Sequence, residues 1–193
     1  MCMDLEEKVN AVNAVFLKLD QEIAAFQETT QLHCKFGCGK CCYKADIEAS
    51  PLEFLPFALA LYKSDKAFEW LDRIKQAPSS VCVILNPLQG GAGLCSEYVY
   101  RGLICRLFGY SARTNKYGQK EYVTCQIIKS EQSDRYEAAA KMVSEGGAIP
   151  VMNQYYMQLH AIDMDLTSSF YPINEAIKRA IEYVLAYYAY REH

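Results

Sequence analysis

The chain has 193 residues, 51% of them hydrophobic and 22% charged, with a formal net charge of −3. This make-up supports a buried core and excludes global disorder, collagen, coiled-coil and low-complexity classes. The slight acidity argues against a protein built to coat nucleic acid, and no apolar run of about eighteen residues predicts a transmembrane helix.

The N-terminal segment MCMDLEEKVN is acidic and has no basic stretch leading into an apolar one, so no signal peptide and a cytoplasmic location are expected. Leu5, Val9, Val12, Phe16, Leu19, Ile23 and Phe26 recur at three- and four-residue steps and predict a helix over 4–29. Residues 31–46 break that period, with Gly37 and Gly39 marking a loop. Ser50, Pro51 and Glu53 read as a helix start, with the helix continuing to Tyr62. Ser64 is the expected cap of another helix ending near Ile74. Val81–Leu85 suits a short strand, 89–93 a turn and Glu97–Tyr100 the returning strand. Residues 109–120 are polar and predict a loop or hairpin tip, and Glu121–Ile128 suits a strand. Helices are predicted at about 131–145, 150–162 and 172–190. The last carries Ile173, Ile177, Ile181, Val184 and Leu185 on one face. The expectation is one mainly helical α+β domain spanning 1–193. Its small strand-and-loop, cysteine-rich centre, about 31–130, is packed by helices from both ends.

Nine cysteines are many for such a chain, and in a reducing compartment crowded cysteines point to metal or to chemistry rather than to disulfides. Cys34-x3-Cys38-x2-Cys41-Cys42 puts four thiols within nine residues. Thiolates are soft ligands that select zinc, copper(I) or iron–sulfur clusters. Supplying several from one loop costs little closure entropy. Gly37 and Gly39 permit unusual backbone angles and expose N–H groups toward ligating sulfur. Adjacent Cys41 and Cys42 are awkward partners on one ion, so a further ligand is expected from Cys82, Cys95, Cys105 or Cys125. Cys82 and Cys125, each alone in an expected strand, suit core packing as well as ligation. Cys2 stands apart and is expected to play no part.

Segments 33–46 and 81–125 hold Lys35, Lys40, Lys44, Arg101, Arg106, Arg113, Lys116 and Lys120 against Asp46, Glu97 and Glu121. Such a local positive excess favours thiolate over thiol and offsets the negative charge of a thiolate centre. Arg101 and Arg106 flank Cys105 in RGLICRLF, where they could neutralise the centre or clamp a bound anion. The Cys34–Cys38–Cys41 spacing also matches radical S-adenosylmethionine enzymes. Those need a parallel α/β barrel that this chain barely allows, and Lys40 stands where their motif has an aromatic residue. His33 is expected to be an exposed neighbour of the cysteines and His160 a satisfied core residue, leaving His193 as the third histidine.

The cysteine loop, Gly93-Leu94-Cys95-Ser96-Glu97-Tyr98 and Arg101-Gly102-Leu103-Ile104-Cys105-Arg106-Leu107-Phe108 together resemble the YkgJ-like CxxCxxCC family, described as a zinc- or iron-chelating domain. The resemblance covers about 31–130 and includes the block GxCxxYxxRPxxCRxFP, in which Gly102 and Gly109 replace the two prolines. These replacements are expected to loosen the turns after Arg101 and Phe108. The resemblance implies a metal site drawn from Cys34, Cys38, Cys41, Cys42, Cys82, Cys95, Cys105 and Cys125. Flagellin lysine N-methylases have a similar cysteine pattern, which implies methyl transfer as a relative's activity. The expected role is metal binding through cysteine, as an iron–sulfur cluster or a zinc or iron ion, with iron–sulfur favoured because doubled C-x2-C knuckles are missing. A cluster-dependent transferase and a non-catalytic metal-stapled interaction module are the alternatives. No membrane and no nucleic-acid partner is expected, and a protein or small-molecule partner is left open.

Overall fold

The computed structural model describes residues 3–44, 46–78, 81–87 and 93–191. The expectations for Cys2, His193 and most of the 89–93 turn lie outside the described residues. Helix α1 (Leu5–Thr30) is followed by a 3-10 turn (Lys40–Tyr43), strand β1 (Glu48–Ala49) and a second 3-10 turn (Pro51–Phe54). Then come α2 (Leu55–Lys63), α3 (Ala67–Gln76), β2 (Leu85–Pro87), β3 (Gly93–Cys95) and a 3-10 turn (Tyr98–Tyr100). Next are α4 (Leu103–Leu107), β4 (Ser111–Thr114), β5 (Lys120–Val123), α5 (Gln126–Glu131) and α6 (Ser133–Ser144). Last come α7 (Met152–Ile162), α8 (Met164–Thr167), β6 (Tyr171–Pro172) and α9 (Ile173–Ala189). The fold is mainly helical α+β. Among the described residues the strands form three antiparallel pairs, β1–β6, β2–β3 and β4–β5, with one parallel bridge from Ala112 to Val151. A parallel barrel is not what these residues build. Among them no helix is long and apolar enough to cross a membrane.

The chain folds as two compact units. One comprises residues 1–13, 37–102 and 159–193; the other comprises 14–36 and 103–158. In the first unit, α2 and the Pro51–Phe54 turn lie against α9. Ile173, Ala176, Ile177, Ala180, Ile181 and Val184 form the buried stripe of α9, and Leu52, Leu55 and Phe57 are buried in the elements that face it. Trp70 meets Phe57 edge-on with ring centroids 4.9 Å apart. The entry to α2 is the expected capping box: the Ser50 N–H donates to Glu53 Oε1 at 2.8 Å, which accounts for a glutamate only 1% exposed. Gly102 packs against the same turn, where a Cβ would come within 2.8 Å of the Phe54 ring. The missing proline therefore leaves room for the Phe54 ring.

In the second unit, Phe26, Leu32, Tyr110, Ala112, Ile128, Ala139, Val143 and Ile149 form one core beneath the β4–β5 hairpin and α6. Gly109 has φ +102°, a conformation closed to proline, whose φ is fixed near −65°. The Tyr122 hydroxyl donates to its carbonyl at 2.8 Å.

Several local expectations are corrected. Ser64 does not start α3; its hydroxyl donates to Ala60 O at 2.9 Å and closes α2 instead. Residues 81–84 are not strand, although Val83 and Ile84 are buried as a strand would bury them; the strand begins at Leu85 and pairs with Gly93–Cys95. Tyr98–Tyr100 is a 3-10 turn, not the return strand. The polar stretch after Gly109 already contains β4, and β5 stops at Val123. There Cys125 caps α5, its sulfur accepting from the Ile128 N–H at 3.4 Å. His160 is solvent-exposed, not core, with Nδ1 2.9 Å from Thr167 Oγ1.

The first unit also buries an ion pair, Lys8 Nζ to Asp163 Oδ2 at 2.6 Å, with Lys8 donating to the Tyr183 hydroxyl at 3.0 Å. Burial opposes both charges. For Asp163, the Lys8 ammonium and the Leu166 N–H outweigh it and hold the carboxyl below its ordinary 3.8. For Lys8, the bonds to Asp163 and Tyr183 outweigh it and hold the ammonium above its ordinary 10.5. The carboxylate's contribution is complete above its ordinary value and is lost as pH falls through the lower folded value. The ammonium's is complete below its ordinary value and is lost as pH rises through the higher one. Asp163→Asn should therefore cost about 3 kcal/mol at neutral pH, by stranding a buried ammonium. In urea titrations that difference should shrink as the pH drops below 3.8, because the wild type is then losing the pair. A difference that stays constant to the lowest pH measured would contradict the assignment.

Candidate metal centre

The first unit holds Cys38, Cys41, Cys42, Cys82 and Cys95, brought together by backbone contacts. Gly39 has φ +54°, and a Cβ there would lie 2.6 Å from the Gly93 carbonyl oxygen. Only glycine lets the two chains touch this closely. The Gly93 N–H donates to Gly37 O at 3.0 Å, and the Cys82 N–H donates to Cys42 O at 2.9 Å. These bonds tie the Cys38–Cys42 segment to β3, which carries Cys95, and to the segment carrying Cys82. Leu85 pairs with Cys95 in register, and the Ser96 N–H donates to Ile84 O at 2.9 Å, which fixes Cys95 relative to residues 82–85.

The thiols of this group differ in kind. The Cys42 thiol hydrogen-bonds Cys41; burial opposes ionisation, but the backbone N–H groups and the charge of Arg101 assist, and Cys41 falls to about 6. Near neutral pH it is a thiolate, the form that ligates metal. Burial pushes Cys82 up to about 11, with Cys95 and Cys41 adding to the rise. Burial also raises Cys95, which feels Arg101, Glu97 and Cys41. Cys41, Cys82 and Cys95 thus sense one another's charge. Among the described residues, no group of three or more histidine, cysteine, aspartate or glutamate side chains is arranged to hold a metal ion. The donor chemistry, thiol and thiolate, is of the kind that suits a soft ion.

Arg101 stands beside this group. Its guanidinium lies 3.6 Å from the Tyr98 ring centroid, and its Nε donates to Tyr98 O at 3.2 Å. Arg106 belongs to the second unit, where it is 6% exposed, bonds Asp20 and covers the Phe16 ring at 4.6 Å. Of the other cysteines, Cys34 is exposed, its N–H donating to the Tyr110 hydroxyl, while Cys105 on α4 and Cys125 at the start of α5 are half-buried. All three belong to the second unit. The exposed His33 is engaged through its backbone, which exchanges hydrogen bonds with the Gln132 side chain at 3.2 and 2.7 Å.

Two residues of the first unit were not singled out from the sequence. Gly93 reads from the sequence as the end of a turn and the first residue of the GxC motif, and nothing local shows that it opposes Gly39. Asn174 bonds the Cys82 segment from α9. An asparagine near the start of a helix is common and carries no signal of its own.

The chain belongs to the CxxCxxCC family, described as a "Putative zinc- or iron-chelating domain", which matches residues 33–135. No curated protein and no solved structure matches the chain. The family makes a zinc or iron ion the ligand class. Its matched span contains all eight described cysteines.

In the metal-free protein, iodoacetamide should modify Cys41 with a midpoint near pH 6, while Cys82 resists until near pH 11. Peptide mapping across a pH series checks this, and equal midpoints would contradict it. The glycines separate similarly. Gly37 has φ +70° with nothing within 4 Å of a Cβ. Gly37→Ala should therefore cost only the backbone strain, about 1–2 kcal/mol. Gly39→Ala adds overlap with Gly93 and should cost about 1–3 kcal/mol more by denaturant titration. Equal costs would mean that the close contact does not matter.

Proposed function

We propose that this member of the family is a metal-binding protein that holds iron or zinc through cysteine thiolates, with ligands drawn from Cys38, Cys41, Cys42, Cys82 and Cys95. The observation that carries this reading is the pair of backbone bonds, Gly93 N–H to Gly37 O and Cys82 N–H to Cys42 O. They join three separate cysteine-bearing segments within one unit. A packing role for thiols alone gives no reason to tie three cysteine-bearing segments together, or to keep one thiol ionised beside Arg101. Cys34, Cys105 and Cys125, which belong to the second unit, are ligand candidates by sequence spacing and the family pattern.

An iron–sulfur cluster is the favoured form. The Cys38–Cys42 segment lacks the doubled C-x2-C knuckles of structural zinc sites. Backbone N–H groups of Cys41 and Cys42 act on the Cys41 sulfur, and such hydrogen bonds are a recognised means of tuning clusters. Arg101 offsets the negative charge that a thiolate-bound centre carries. Arg106 serves the second unit through Asp20 and Phe16 and is not needed for this reading.

Protein purified anaerobically should contain at least one equivalent of iron or zinc by elemental analysis. Iron with sulfide and visible absorption is the expected result. Zinc without colour would replace the cluster with a thiolate-bound ion. Cys41→Ser and Cys95→Ser should each lower the metal content, because a lost ligand costs both binding and folding energy. Wild-type protein free of both metals, folded and with every thiol titratable, would overturn the proposal.

A further inference from the structure

Asn174 stands in the first turn of α9, outside the residues that match the family. Its side-chain amide lies against residues 81–83: Oδ1 accepts from the Val83 N–H at 2.8 Å, and Nδ2 donates to the Val81 carbonyl at 2.8 Å. These are the two bonds that a neighbouring strand would supply, and they fall on either side of Cys82. The same end of α9 holds the chain leaving the Cys38–Cys42 segment. The Ile173 N–H donates to Ile47 O at 3.0 Å, and β6 pairs with β1, Ala49 opposite Tyr171 and Glu48 opposite Pro172. All of these residues belong to the first unit.

We infer that Asn174 is a positioning residue of the metal centre, its amide fixing the backbone on both sides of Cys82 and hence the direction in which that thiol is presented. The inference rests on the metal-binding reading above. It assigns a part in the site to a helix outside the matched segment. An amide is the side chain that fits, because it accepts and donates at once. Aspartate keeps the acceptor for Val83 but cannot donate to the Val81 carbonyl. Residues that orient ligands in this way commonly change metal affinity by roughly ten- to a hundredfold when lost.

The test is an anaerobic Co²⁺ titration of the metal-free full chain, read by thiolate-to-cobalt charge-transfer absorption, whose intensity follows the number of bound thiolates. Asn174→Ala should weaken Co²⁺ binding roughly ten- to a hundredfold and reduce the band, as Cys82→Ser does. Asn174→Asp should fall between it and the wild type. In the Cys82→Ser background, Asn174→Ala should cause no further loss, because its effect passes through Cys82. Wild-type affinity and spectrum in Asn174→Ala would overturn the inference. So would an equal further loss in the Cys82→Ser background, which marks a general loss of stability. If circular dichroism shows Asn174→Ala unfolded, Asn174→Asp decides: wild-type affinity there overturns the inference as well. A wild type that binds no Co²⁺ through sulfur would overturn the metal-binding reading itself, whereas a binding wild type with indifferent Asn174 variants overturns this inference alone.

Discussion

The candidate centre depends on a backbone contact between two glycines. Gly39 and Gly93 lie so close that a single Cβ on Gly39 would meet a carbonyl oxygen at 2.6 Å. A Cβ on Gly93 would in turn meet Leu85 Cδ1 at 2.5 Å. Leu85 is flexible at that end and can shift, but the Gly93 backbone cannot, so no side chain fits at Gly39 and the two cysteine-bearing segments are joined through main chain. The Gly93 N–H bond to Gly37 and the Cys82 N–H bond to Cys42 then satisfy polar groups that the close approach would otherwise bury at a cost. A loop bearing thiols is in this way attached to a hairpin strand and to an irregular segment without any disulfide.

Electrostatics then separates thiols that look alike in the sequence. Cys41 accepts a hydrogen bond from Cys42 and sits in the field of Arg101, while Cys82 is buried and resists ionisation. Were a cation bound there, Cys41 would meet it as a thiolate, whereas Cys82 and Cys95, held toward the thiol by burial, would each have to release a proton. Metal affinity built this way depends on pH, because each further ligand must release a proton. Arg101, stacked on Tyr98, supplies a fixed positive charge at the edge of this group. Arg106, four residues beyond Gly102, is committed to Asp20. Two arginines of one short motif therefore do different work.

Much of the fold was legible in the sequence. The apolar period of Ile173, Ile177, Ile181 and Val184 gave α9, and Ser50, Pro51 and Glu53 marked the entry to α2. What failed was local pattern under tertiary control. Val81, Val83 and Ile84 have the residue types of a strand because they are buried. Yet their backbone is held by Asn174 from α9, and the neighbouring Cys82 by the Cys42 carbonyl, so no ladder forms there. Glu121–Ile128 was cut short because the Cys125 sulfur caps a helix, a role more often filled by an oxygen. The two lost prolines were legible only as losses. The structure explains them by the Phe54 ring at Gly102 and by a positive φ at Gly109. The cysteine cluster was plain from spacing. Which cysteines share a compact unit was not, because that depends on contacts such as Gly39 with Gly93, 54 residues apart in the chain.

The central claim is that sulfur, supplied by the cysteines gathered in the first unit, binds the metal. X-ray absorption at the edge of whichever metal accompanies the anaerobically purified chain tests it most directly. The account predicts a shell made wholly of sulfur at about 2.3 Å. It further predicts that sulfur is lost from that shell in Cys95→Ser and retained in Arg106→Lys. A shell of oxygen and nitrogen, or a sulfur shell unchanged in Cys95→Ser, would contradict it.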